Sequence, residues 1–116
     1  SKDGLNWKRS GLTSIDFEYK GEKNIARPCI LKNNGSYEAW FSFGYGDQYE
    51  MGYARSDDGY LFNRNIDNPP IIKKSDKYYE NLAVCHPIVV NYKDKKFMFY
   101  NGNKFGYDGI ALAIEK

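Results

Sequence analysis

Long apolar runs are missing from this sequence. No stretch approaches the about 20 residues that a membrane-spanning helix needs, and the opening SKDGLNWKRS lacks the apolar core of a secretory signal. Both absences favour a soluble, cytoplasmic chain with no membrane partner. A charge excess is missing too: 17 basic and 15 acidic residues nearly cancel to +2, and no run of like charge forms. The electrostatic footprint of a nucleic-acid partner is therefore absent. Histidine occurs once, at His86, and cysteine twice, at Cys29 and Cys85, with no CxxC pair. That leaves no pattern for a metal site, a redox centre or a cofactor. Both thiols fall in apolar runs, where they behave as small hydrophobes. No window sustains a 3.6-residue apolar period either, so no helix is expected.

What the chain has in excess is aromatic side chains, with 11 Tyr, 7 Phe and 2 Trp making 17% of its 116 residues. Such residues favour strands and supply large buried area to thin sheets. The length is that of one ordinary domain, too short for two independent cores.

The chain also nearly repeats itself. The segment ARPCILKNNGSYEAWFSFG from Ala26, followed by MGYARSDDG, is echoed from Cys85 by CHPIVVNYKDKKFMFYNGN and then DGIALA. Pro28 matches Pro87 and Trp40-Phe41 matches Phe99-Tyr100 at an offset of 59, while Gly52-Tyr53-Ala54 matches Gly109-Ile110-Ala111 at 57. A third partial copy opens the chain, where Ser1-Lys2-Asp3-Gly4 resembles Ser56-Asp57-Asp58-Gly59 at an offset of 55. Self-similarity at such a period, built of short strand-like runs, marks stacked supersecondary units.

The first copy resolves into strands over Arg27 to Lys32, Tyr37 to Phe43, Glu50 to Ser56 and Tyr60 to Arg64. The second gives His86 to Asn91, Lys96 to Asn101 and Gly109 to Ile114. Asn33-Asn34-Gly35 and Asp57-Asp58-Gly59 have the Asn-Gly and Asp-Gly chemistry of tight hairpins, with Tyr92-Lys93-Asp94 at the equivalent second turn. Asp57-Asp58-Gly59 and Asp3-Gly4 read as turns rather than calcium or acid-base groups, because Asp caps its own turn. Apolar inner runs followed by mixed outer ones suit the blades of a propeller. The expected fold class is all-β, with two four-stranded antiparallel blades belonging to a larger ring or completed by oligomerisation. Residues 1–25 form an outer strand (Leu5 to Arg9) and a linker, 26–64 the first blade, and 65–84 a proline-containing linker. Residues 85–116 form a second blade lacking its outer strand.

The run ARPCIL with YEAWFS, GYARSDDG, CHPIVV, KFMFYNGNKFG and GIALA resembles the five-bladed β-propellers of the glycoside hydrolase family 43 and 32 type. Within that superfamily it resembles the uncharacterised bacterial branch associated with polysaccharide genes. The resemblance covers nearly the whole chain and implies the C-terminal two-blade portion of such a ring. It places the site at the axial mouth, at Arg27 and His86 immediately before Pro28 and Pro87. The loops joining second to third strands would add Tyr45, Asp47, Asn101, Asn103 and Tyr107 to the rim.

Hydrolysis in that superfamily needs two separated carboxylates. Relatives commonly carry an Asp just before the inner-strand proline or a Glu two residues before it, where this chain has Arg27, His86, Ala26 and Cys85. The chain alone therefore lacks a complete catalytic set, with Glu80 the one carboxylate to consider as an axial acid. Arg27 could clamp an acidic sugar or form a structural salt bridge with Asp47 or Glu80. His86 could bond a sugar hydroxyl or be satisfied structurally. The expected function is a carbohydrate-active segment that binds or helps process a polysaccharide sugar, with its catalytic acids on blades outside this chain. The alternative is a non-catalytic sugar-binding or self-assembling module.

Overall fold

The computed structural model describes residues 1–46, 48–64 and 66–116 and is all-β apart from one short turn of helix. Strands β1 (Asn24–Asn33), β2 (Ser36–Gly44) and β3 (Tyr49–Ser56) form one antiparallel sheet in that order. Strands β4 (Cys85–Tyr92), β5 (Lys95–Asn101) and β6 (Ile110–Ile114) form the second. Between β5 and β6 lies the four-residue α1 (Asn103–Gly106), in which Lys104 and Phe105 are left-handed. Among the described residues no helix is long and apolar enough to cross a membrane.

The hairpins follow their turn chemistry. Asn34 and Gly35 both have positive φ, as a two-residue turn between right-twisted strands requires. Lys93 and Asp94 adopt the same geometry at the equivalent place without a glycine. The ladders align Cys29 with Trp40 and Trp40 with Tyr53 in the first sheet, and Ile88 with Phe99 and Phe99 with Leu112 in the second. All three pairs of equivalent residues are 59 apart. The 57-residue match of Gly52-Tyr53-Ala54 to Gly109-Ile110-Ala111 is thus corrected: Tyr53 corresponds to Leu112, and Gly109 is a left-handed loop residue ahead of β6.

Side chains alternate across each strand, so each sheet has two faces. The sheets stack through Trp40, Met51 and Tyr53 on the first and Val89, Met98 and Tyr100 on the second, with Val84 just ahead of β4. The inner strands β1 and β4 meet where the Val89 N–H donates to Cys29 Sγ at 3.2 Å. Cys85 is fully buried, which pushes its thiol pKa up to about 11 and leaves it inert. Residues 66–84 cross back without strand structure, and Ile66, Ile71 and Ile72 seal the edge of this core. Pro70 O accepts from the Trp40 indole at 2.9 Å.

The expected fourth strands do not form as ladders. Over 60–64 the described residues form one isolated bridge, Asn63 with Arg55 through two backbone hydrogen bonds, and the Phe62 N–H donates to Ser14 O. At 5–9 no strand lies alongside, and Leu5 and Trp7 are exposed. The turns preceding both segments are nevertheless the same object. Asp58 Oδ1 accepts from the Ser56 hydroxyl and the N–H groups of Tyr60 and Leu61, while Gly59 N–H donates to Ser56 Oγ. Asp3, Ser1, Leu5, Asn6 and Gly4 reproduce that network bond for bond. These donors hold both carboxyls below the usual carboxylate range.

Candidate functional site

Arg27 and His86 are equivalent residues, 59 apart, and the structure gives them one unusual backbone. Both are left-handed, with φ of 55° and 53°. Each sits where the ladder to the neighbouring strand breaks register, between Ala26 and Cys29 in β1 and between Cys85 and Ile88 in β4. Each also precedes a proline, which restricts its backbone further. A non-glycine residue held this way costs of order 1–3 kcal/mol, and such residues concentrate at ligand sites. The bulge takes both side chains out of the ladder and aims them at a common opening.

That opening is a cleft of about 590 Å³ lined by Arg27, Pro28, Cys29, His86, Pro87, Ile88, Asn101 and Phe105. The His86 ring lies nearly parallel to Phe105, with centroids 5.7 Å apart and planes 14° from each other. Tyr49 meets both edge-on at 6.2 and 5.5 Å. The His86 N–H donates to the buried Ser42 hydroxyl at 2.7 Å, tying the second inner strand to the first sheet. Partial burial lowers the His86 pKa, the Arg27 charge lowers it further, and a hydrogen bond with Asn101 opposes both. The uncharged imidazole is thereby favoured, and the guanidinium is the cation of the cleft. Gly106 lets Asn101 in: it is left-handed, and a Cβ there would collide with the Asn101 amide.

Of the rim residues expected from sequence, the structure gathers Arg27, His86 and Asn101. Tyr45 stands elsewhere, edge-on to Phe43 at 6.0 Å, in a second hollow of about 570 Å³ shared with Glu50 and Arg64. Asn103 is buried and saturated. Its Oδ1 accepts from the Leu82 and Ala83 N–H groups, and its Nδ2 donates to Tyr78 O and Asn81 Oδ1. It clamps the approach to β4 instead of lining the cleft. Tyr107 is exposed beneath the Lys104 ammonium at 5.3 Å. Asp47 lies outside the described residues.

Glu80, the carboxylate considered as an axial acid, does not line the cleft. It is buried in the core, where it accepts from the Tyr100 hydroxyl at 2.6 Å and from the Ser75 hydroxyl. No ion pair joins it to Arg27 among the described residues. A second buried carboxylate, Glu22, makes a bidentate pair with Arg64 at 2.6 and 2.8 Å, and that guanidinium caps the rings of Tyr19, Phe41 and Phe43. Tyr49 and Phe105 escaped the sequence reading. The signal for Phe105 was an aromatic inside the glycine-flanked NGNKFG loop, and Tyr49 carried none beyond its place at the start of a strand. Among the described residues no three His, Cys, Asp or Glu side chains gather as metal ligands would.

No family model matches the chain. Two uncharacterized proteins of Mycobacterium tuberculosis, MT1551 and Rv1502, are 28% and 27% identical to it over 114 residues. The match takes in 98% of this chain but 38% of theirs, so the chain spans just over a third of these relatives. Among solved structures, that of BT0996 in complex with RGII superposes over the whole chain with a TM-score of 0.79 at 24% identity, using 34% of its own length. A glycoside hydrolase does so with 0.77 at 24% identity, again over 34% of its length. Zg3597, a family 117 glycoside hydrolase from the marine bacterium Zobellia galactanivorans, aligns over 84% of this chain and 37% of its own, with a TM-score of 0.55 and 16% identity. With its repeated antiparallel sheets stacked face to face, the chain has an all-β fold of propeller-blade character, shared with about a third of each of the first two of these structures.

Proposed function

We propose that this chain is a sugar-binding segment of a carbohydrate-active propeller, with its site in the cleft of Arg27, His86, Asn101 and Phe105. One observation carries the reading: the same strained, left-handed position in two successive repeats delivers two polar side chains to one opening, beside an aromatic slab. Strain repeated at equivalent positions suits a ligand site better than packing, which needs no such backbone. The slab offers a flat apolar surface to a sugar ring, while Asn101 and the two nitrogen-bearing side chains suit its hydroxyls. Glycosidic bond cleavage takes a carboxylate pair. None of the described residues lining the cleft is acidic, so the role of this chain is recognition, and any acids come from elsewhere in a larger ring. A saccharide array probed with the full chain and with His86→Asn tests this. The wild type should bind at least one sugar class and the variant should lose it, whereas an array blank for the wild type overturns the reading.

A second reading, assembly with further blades, is favoured by the bare face of the second sheet. Ile88, Phe99 and Leu112 occupy the places that Cys29, Trp40 and Tyr53 hold in the buried interface, yet all three are exposed. The relatives' length of about 300 residues leaves room for about five such repeats, within the range for closed propellers. Sedimentation of the 116-residue chain discriminates between self-association and a wait for other blades: a clean monomer at high concentration counts against self-association.

A further inference from the structure

We infer that the sugar taken by this cleft carries a carboxylate, a uronic-acid-type residue, and that Arg27 is the side chain that reads it. The inference rests on the carbohydrate reading of the cleft and adds the substrate class.

Arg27 is exposed in a recess whose described lining contains no Asp or Glu, and it has no ion-pair partner among the described residues. The contrast with Arg64 is instructive. That guanidinium is spent on Glu22 and on three aromatic rings, as a structural arginine is. Arg27 is instead held out of its ladder by a left-handed bulge and presents a planar, five-donor fork to the cleft. A carboxylate is the planar, bidentate acceptor that matches it. A neutral sugar would leave the fork with single hydroxyl contacts, for which Asn101 already suffices.

A phosphate also accepts from such a fork, and the sugar-phosphate arm of the titration separates it from the carboxylate. The Phe105 and His86 rings lie beside Arg27 in the same recess, so a sugar ring stacked there can set its carboxylate against the guanidinium.

The test is calorimetric titration of the full chain with glucuronate and galacturonate oligosaccharides, their methyl esters, the neutral oligosaccharides of the same linkage, and a sugar phosphate. The expected result is binding of at least one uronate about tenfold or more tighter than its own ester at low salt. Arg27→Asn, which tolerates the left-handed backbone, should erase that ratio while the ester still binds, and Arg27→Lys should keep part of it. Equal affinity for acid and ester, a preference for neutral sugars, or tighter binding of the phosphate overturns the inference and leaves the carbohydrate reading standing. Failure of every saccharide to bind removes both. Should Arg27→Asn melt early, Arg27→Lys alone decides the matter, since a ratio equal to wild type would sink the role given to the fork.

Discussion

The two sheets share one register and one repeat length, yet the first is covered on both faces and the second on one. In the first sheet Trp40 and Tyr53 face the second sheet. Phe41 and Phe43, on the opposite side, lie under Ile15, Ile25, Phe62 and the Arg64 guanidinium. In the second, Val89, Met98 and Tyr100 are buried, while Ile88, Phe99 and Leu112 face outward, 39% to 58% exposed. Local propensity does not produce this asymmetry, because the barer second sheet is the richer of the two in β-branched and aromatic strand formers. In repeat folds a unit completes its core only through its neighbour, and the second sheet leaves one face bare.

The sharpest way to break the comparison is to truncate equivalent residues. Trp40→Ala empties a site at the centre of the shared core and should cost about 3–5 kcal/mol in denaturant unfolding. Phe99→Ala, at the equivalent place on the bare face, should cost about 1 kcal/mol or less. Equal losses would mean that the outer face is buried in solution. Next come two buried carboxylates, Glu22 in the chain ahead of β1 and Glu80 in the chain ahead of β4. Arg64→Met strands Glu22 without its cation and should cost about 3 kcal/mol. Tyr100→Phe takes one hydrogen bond from Glu80, which retains Ser75, and should cost about 1–2 kcal/mol.

A smaller effect tests the turns. Replacing Lys93-Asp94 by Asn-Gly gives the second hairpin the chemistry of the first and should raise stability by about 1 kcal/mol, read as a higher melting temperature. The reverse exchange at Asn34-Gly35 should lower it by a similar amount. The gentlest probe is pH. Burial opposes the ionisation of Glu22 and Glu38, but Arg64 on the first, and Tyr53, Asn33 and Lys96 on the second, outweigh it and lower both pKa values. The unfolded chain then binds protons more readily, so this stabilisation is complete above the ordinary value of 4.5 and fades as pH falls below it. His86, also lowered, adds a term that is complete above 6.5 and declines on acidification. Melting temperatures measured downward from pH 7 should therefore fall in two stages, and His86→Asn should remove the earlier one.

Much of this architecture was legible in the sequence because it is local. Asn34-Gly35 announces its hairpin, Ser56-Asp57-Asp58-Gly59 and Ser1-Lys2-Asp3-Gly4 announce one shared turn, and the 59-residue spacing of Pro28 and Pro87 identifies Arg27 and His86 as counterparts. What escaped depends on partners distant in the chain. The outer strands at 5–9 and 60–64 have strand-like composition but lack a full neighbour to pair with. Nothing in the sequence around Glu80 announces Tyr100, 20 residues later, whose hydroxyl donates to it. Asn103 has the loop position of a rim group, but four partners from residues 78–83 consume its amide. Phe105 joined the cleft only through the left-handed turn that folds α1 back over His86.

The bulges at Arg27 and His86 have a consequence for how this protein can change. The direction of each side chain is fixed by the register break and the following proline, not by the identity of the residue that occupies the position. Asparagine and aspartate accept the left-handed backbone more readily than other side chains, so either socket can exchange its chemistry, cation for amide or carboxylate, with the strands around it undisturbed. A lineage could thus alter the chemistry of the cleft lining by single substitutions at two fixed points, without refolding anything.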